Sequence, residues 1–228
     1  ILHLAFIKVP EQKIVHSEEQ PKKLDIRGTV KIVGAIPGLF ALIFFTTFNN
    51  FLGGVFMALM DAYGLSLVSV QTWGTMFAVL SSGFILGGLI VAKRGLGTNP
   101  LKTLFRASII MWVSCIFFTI QPSILLLAGG MLLWMTLSPF IEATEQTIIQ
   151  KVVPYERQGR VFGFAQSIEQ AASPITAFLI GPIAQFFFIP FMTNGAGAEL
   201  IGSWFGTGPA RGIALVFTTT GILGLIVT

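Results

Sequence analysis

"ILLLAGGMLLWMTLSPFIEATEQTIIQ", Ile124 to Gln150, carries no charged side chain before Glu142. Its first half reads as lipid-facing or buried helix. A helix that crosses a bilayer needs roughly 20 mainly apolar residues, and this run comes close to supplying them before its first carboxylate. The whole composition agrees. Hydrophobic residues make up 54% of the chain and charged residues 11%, against about 25% charged in an average soluble domain. The 25 Gly and 22 Phe fit membrane helices, which tolerate Gly better than soluble ones do. The fold class is therefore all-α integral membrane, a bundle of six transmembrane helices.

On either side of Ile124–Gln150, five more runs qualify as spans: 32–60, 70–92, 101–120, 161–191, and 211 to the end. Residues 1–7, "ILHLAFI", read as the end of a preceding transmembrane helix, and the last span reads as truncated. A fragment of a longer polypeptide is the expectation. Residues 8–31 are polar and lack an apolar period, so they read as a solvated linker, with "LDIRGTVKIV" starting an interfacial helix. The bundle itself is expected over 32–228. Pro37, Pro139 and Pro174 fall inside runs and predict kinks.

Charge placement gives the orientation. Of the 14 Lys and Arg, 13 fall before the first span, between the second and third, or between the fourth and fifth. These are alternate loops and share one side. Arg211 alone lies on the other. By the bias of Lys and Arg toward inner loops, the linker 8–31 and the loops near 93–102 and 151–160 are expected in the cytoplasm of a bacterium, with the bundle in its plasma membrane. The net charge of +4 is thus no nucleic-acid footprint.

Soluble-enzyme chemistry finds no support. "GLGTNPLKT" lacks the glycine and lysine order of a phosphate-binding loop. The histidines, His3 and His16, form no metal-ligand spacing, and Cys115 sits alone in an apolar run. No cofactor, metal or catalytic residue is expected, and the chain does not read as an enzyme.

The informative residues are polar groups inside apolar helices, which are costly in hydrocarbon and normally face a bundle interior or a watery cavity. Glu169 lies nine residues after Arg160, about 13 Å along a helix. Gln166 and Gln170 flank it, and Ser173 extends the stripe by a turn. It reads either as a proton-titrating or substrate-contacting carboxylate or as an internally paired structural one. Glu142 and Glu145, at i and i+3, share one helix face with Gln146. Glu142 is the cavity candidate. Glu145 is expected to hold the basic residues Arg157 and Arg160 at the inner rim. Asn49 and Asn50 fall in the far half of the first span, as cavity lining or as interhelical hydrogen-bonding groups. Asp61 reads as an interfacial cap, and Trp204 and Phe205 as boundary aromatics.

The loop "QKVVPYERQGRVFGF" carries a resemblance. Its Val153, Pro154, Gly159, Arg160, Val161 and Phe162 resemble the fourth-to-fifth loop in the second half of major facilitator superfamily transporters, in the macrolide-efflux-like branch of drug:proton antiporters. Ser167, Pro174, Gly181 and Pro182 downstream are similar to that branch, as are Ser138–Phe140 and Gln150. "GLIVAKRGLG" resembles the superfamily's loop motif at Gly88 and Gly95, with Lys93 in place of Arg and Ala92 at the acidic position. The resemblance implies helices seven to twelve of a two-bundle pump. Its partners would be the N-terminal six-helix half, the lipid bilayer, a small-molecule substrate and protons. It implies export of amphipathic, drug-like compounds by rocking around a midplane site. Lys93, Gly95, Arg157, Gly159 and Arg160 would gate or anchor the inner loops. A siderophore or lysophospholipid carrier and a non-transport membrane scaffold are the rival readings.

Overall fold

Among residues 25–228, which the computed structural model describes, every regular element is a helix. The expected helix end at residues 1–7, residues 8–24 of the linker, and His3 and His16 lie outside the described residues. An all-helical chain is what hydrocarbon demands, since a helix satisfies its backbone polar groups within itself. Six helical spans are long and apolar enough to cross a membrane.

Helix α1 (Ile26–Ala35) starts where the Asp25 carboxylate accepts from the Gly28 N–H at 2.8 Å, an N-cap that satisfies an otherwise orphaned donor. It crosses the boundary drawn at residue 32 from sequence. Pro37 does more than kink the first span. Ile36 ahead of it is extended, as residues preceding proline prefer, and the spanning helix α2 (Leu39–Leu65) begins anew. The first span is thus 39–65, not 32–60. The second is two helices, α3 (Val70–Leu80) and α4 (Ser82–Arg94), broken at Ser81. Helix α5 (Pro100–Phe117) is capped by Asn99 and carries Pro100 in its first turn, where the missing N–H costs nothing. Helices α6 (Ile124–Val152) and α7 (Tyr155–Ile183) run without interruption through Pro139 and Pro174.

Only Val153 and Pro154 separate α6 from α7. Arg157, Gly159 and Arg160, expected in a loop, stand instead in the first turns of α7, because Pro154 serves as its N-cap. After Pro182 the chain widens into a π-helical segment, Ala184–Phe188, and continues as α8 (Ile189–Thr193), which holds Pro190. Each proline removes an N–H from the helical ladder, and the wider turn lies between them. Two short helices, α9 (Ala196–Leu200) and α10 (Gly202–Phe205), lead to α11 (Pro209–Val227).

Helices α2 and α7 share the most extensive contact in the bundle. A Cβ on Gly54 would collide with the Ser173 carbonyl oxygen, so only glycine permits this approach. Helix α11 packs among α2, α5 and α8. There the Phe56 and Phe217 rings stack at 5.0 Å and Tyr63 meets Phe217 edge-on at 5.9 Å. A second apolar cluster, including Leu42, Phe45, Leu104, Ile149 and Val161, fills the basic end. Phe44, Phe178 and Phe186 point outward at 61%, 81% and 80% exposure, the pattern of a surface solvated by lipid.

Arg211, counted from sequence as the lone basic residue of the far loops, is buried. Its guanidinium donates to the Phe205 carbonyl at 2.5 Å, the Tyr63 hydroxyl at 3.1 Å, and the carbonyls of Thr119 and Ile120 at 2.9 and 2.8 Å. It lies 4.2 Å over the Phe205 ring. Phe205 is buried beneath it, unlike the boundary aromatic expected, while Trp204 is exposed. The carbonyls left open just past α5 need donors, and Arg211 supplies them.

Candidate functional site

A cavity of about 480 Å³ lies among α2, α3, α5, α6 and α7. Helix α2 contributes Asn49, Asn50 and, three turns on, Asp61, while α6 contributes Ser138 and Glu142 and α7 contributes Ser173. Between these polar groups the wall is apolar, built largely from methionine and aromatic side chains.

Asn49 and Asn50 both reach the cavity but differ in their bonds. The Asn49 side-chain N–H donates to the Phe45 carbonyl at 2.8 Å, and its oxygen accepts the Trp112 indole N–H at 2.8 Å. Asn49 therefore ties α2 to α5. Asn50 donates to the Thr46 carbonyl at 3.1 Å. A carbonyl can only accept, so this bond fixes the amide and leaves the Asn50 oxygen facing away from it.

Asp61 is not a simple interfacial cap. Its Oδ1 accepts the Trp73 indole N–H at 2.9 Å, which links α2 to α3 at the cavity's far end. Glu142 is exposed into the cavity and joins no ion pair among the described residues.

Glu145 and Glu169 come together one turn toward the basic end. Both are buried, at 9% and 7% exposure. The Glu145 side chain lies beside those of Glu169 and Thr46. Thr46 donates to Glu169 Oε1 at 2.7 Å. Glu145 does not hold Arg157 or Arg160 at the rim as its spacing led one to expect. It faces inward, and the sole ion pair among the described residues joins Arg160 to Asp25 at 3.5 Å, across α7 and the start of α1. Sequence spacing put Glu145 beside Glu142 on α6; it could not show that α2 and α7 close over one of them and leave the other open.

Gln166 and Gln170 are exposed on α7, turned from the buried Glu169, whereas Ser173 reaches the cavity and lies 3.7 Å from Met57 Sδ. Lys93 is exposed in the last turn of α4, where a cation favours the helix dipole. Gly95 caps that helix with φ of 67°, a left-handed conformation that glycine adopts without strain. Gly159 is exposed in α7 with open space around it, and Arg157 is exposed nearby. Among the described residues no group of three or more His, Cys, Asp or Glu is arranged to hold a metal ion. Arg211 and Asp61 were the functional-looking residues that spacing undervalued. The signal was a lone charge at each end of an apolar span.

The sequence profile of the Major Facilitator Superfamily matches residues 1–177. The chain belongs to the major facilitator superfamily. The match takes in every residue that lines the cavity and the Glu145–Glu169 pair. No curated protein and no solved structure matches the chain. As a superfamily member, it is a multi-pass membrane protein of a transporter family, set in lipid, and such proteins are carriers rather than enzymes. The superfamily chain thus presents two polar features beside adjoining stretches of α2: an open cavity with a free carboxylate from α6, and a closed acid pair from α6 and α7 below it.

Proposed function

We propose that this chain is the C-terminal six-helix half of a bacterial proton-coupled secondary transporter that exports drug-like amphipathic compounds by alternating access. The observation that carries this reading is the Glu145–Glu169 pair. Two carboxylates from different helices are buried together with no cation beside them among the described residues. Close carboxylates without a counter-charge cannot both stay ionised at reasonable cost. A shared proton resolves this, and Thr46 suits both states. Its hydroxyl donates to Glu169 when the pair has given up its proton. When the pair is protonated it can accept, turning its own hydrogen to the Leu42 or Ile43 carbonyl, each 3.1 Å away.

Proton binding then has a route to the cavity. Thr46 also accepts, through its carbonyl, the Asn50 amide that lines the cavity one turn away. A change in the Glu145–Glu169 contact bears directly on the α2–α7 packing, the most extensive in the bundle. The basic side is cytoplasmic in this reading, with Lys93, Gly95, Arg157, Gly159 and Arg160 at the inner loops. The exposed polar stripe of Gln166 and Gln170 faces the partner half across the pore. The cavity argues against a scaffold, which would have no use for a polar-lined void.

The test is uptake and efflux in proteoliposomes of the full-length protein, driven by an imposed pH gradient, in the wild type and in Glu169→Gln. Loss of gradient-driven transport, with exchange between preloaded and external substrate retained, is expected. Unchanged gradient-driven transport in Glu169→Gln overturns the proton role.

A further inference from the structure

The charged groups of the cavity are both carboxylates, Glu142 and Asp61. Several of its side-chain donors are spent within the wall. Ser138 donates to the Trp134 carbonyl at 3.0 Å, Ser173 points at Met57 Sδ, and one amide hydrogen each of Asn49 and Asn50 goes to the carbonyls of Phe45 and Thr46. Among the described residues of the wall, the second amide hydrogens of Asn49 and Asn50, the Trp134 indole and the weak Cys115 thiol keep a hydrogen without a partner. The acceptors left open are the Asn50 oxygen, the second oxygen of Asp61, and the whole Glu142 carboxylate. No Lys, Arg or His among the described residues lines the cavity.

The apolar part of the wall has its own chemistry. Five of the chain's seven methionines line it: Met57, Met60, Met111, Met131 and Met135. Methionine is flexible and polarisable, makes favourable contacts with aromatic rings, and suits surfaces that accept varied shapes. Aromatic faces on the same wall attract cations. A volume of about 480 Å³ lies in the range of sites for drug-sized ligands.

We infer that the cavity selects ligands carrying a protonated amine on an aromatic or otherwise polarisable body, with Glu142 as the main counter-charge and Asn50 as the second N–H acceptor. The inference rests on the carrier reading above and narrows its substrate class. A carboxylate or phosphate ligand would meet two like charges and, among the described residues, no cation. Anionic siderophores and lysophospholipids are disfavoured for that reason. A quaternary ammonium would keep the charge attraction but offer no N–H to the Asn50 and Glu142 oxygens, so it ranks below the protonated amine. Asp61 contributes less than Glu142, because one of its oxygens already holds Trp73.

The test is binding to the full-length protein in nanodiscs at neutral pH, read by tryptophan fluorescence and by competition. Four ligands share one aromatic body and bear a primary amine, its trimethyl quaternary form, a neutral isostere or a carboxylate. The amine is expected to bind at least tenfold tighter than the isostere and the carboxylate, and about threefold tighter than the quaternary form. Glu142→Gln should remove most of the tenfold preference, and Glu142→Asp should restore part of it. An unchanged thermal midpoint in Glu142→Gln shows that the fold is intact. Equal or tighter binding of the carboxylate overturns the inference. So does an intact amine preference in the Glu142→Gln, Asp61→Asn double variant, or no saturable amine binding at all. The two readings separate cleanly. Amine-selective binding without gradient-driven transport defeats the proton-coupled function and leaves this inference standing. Gradient-driven transport of neutral or anionic compounds does the reverse.

Discussion

The hydroxyl of Thr46 on α2 donates to Glu169 Oε1 on α7 at 2.7 Å, and both groups are buried. This bond joins the two most extensively packed helices at the level of the acid pair, so the state of the pair and the fit of α2 on α7 are one structural question.

Thr46→Val keeps the shape of the side chain and removes its hydroxyl. Glu169 then loses a donor in a buried setting, which costs about 1–3 kcal/mol. The expected outcome is a lower thermal midpoint in detergent and a several-fold slower gradient-driven transport rate. Thr46→Ser keeps the hydroxyl and should stay near wild type in transport.

Arg211 is held by four acceptors on three stretches of chain. Arg211→Met strands all of them, and a loss of about 3–5 kcal/mol is expected, on the scale of breaking a buried charged network from one side. Tyr63→Phe removes one partner and should cost about 1 kcal/mol. Lysine lacks the planar fork and should not rescue the arginine. Thermal unfolding of the three variants checks the order Met, Lys, Phe from most to least damaging.

Gly54 and Gly53 make a paired test of the α2–α7 approach. A Cβ at Gly54 runs into the Ser173 carbonyl, while one at Gly53 meets nothing within 4 Å. Gly54→Ala is expected to destabilise by about 1–3 kcal/mol through overpacking. Gly53→Ala should be neutral or slightly stabilising, because alanine is the better helix former. Equal midpoints for the two variants would show that the helices part easily.

Asn49 and Asn50, adjacent in sequence, should fail in different assays. Asn49→Leu breaks the tie to Trp112, and a double-mutant cycle with Trp112→Phe is expected to show coupling of about 1 kcal/mol in stability. Asn50→Leu should leave stability nearly unchanged and weaken ligand binding several-fold.

Cysteine accessibility gives an independent map, in a Cys115→Ala background. Cysteines placed at 50 and 142 are expected to react with a small water-soluble thiol reagent, and one at 169 to react far more slowly. Fast reaction at 169 would mean that the acid pair is open to water in the resting protein.

The spans are legible in the order of the amino acids. The apolar run from Ile124 announces a membrane helix, and α6 begins at that residue because Ser123 caps it. The 13-to-1 split of basic residues puts Lys93, Arg157 and Arg160 on one side. Helix ends are less legible. Pro37 ends a helix where a kink was expected, because Ile36 is extended ahead of it. At Pro139 and Pro174 the helix runs on through the proline.

Composition and rise per residue are local properties. They suffice to make this protein a membrane-spanning helical bundle, to gather its basic residues on one side, and to set Glu142, Glu145 and Glu169 inside spans. Which carboxylate faces what is a matter of tertiary packing. Glu142 and Glu145 are three residues apart on one helix, yet α2 and α7 close over Glu145 and leave Glu142 open to the cavity. Packing also turns Asp61 and Arg211 from surface charges into groups with assigned partners. Such assignments depend on which helices meet and at what depth. That contact is set by side-chain fit between segments distant in the chain, as at Thr46 and Glu169, 123 residues apart.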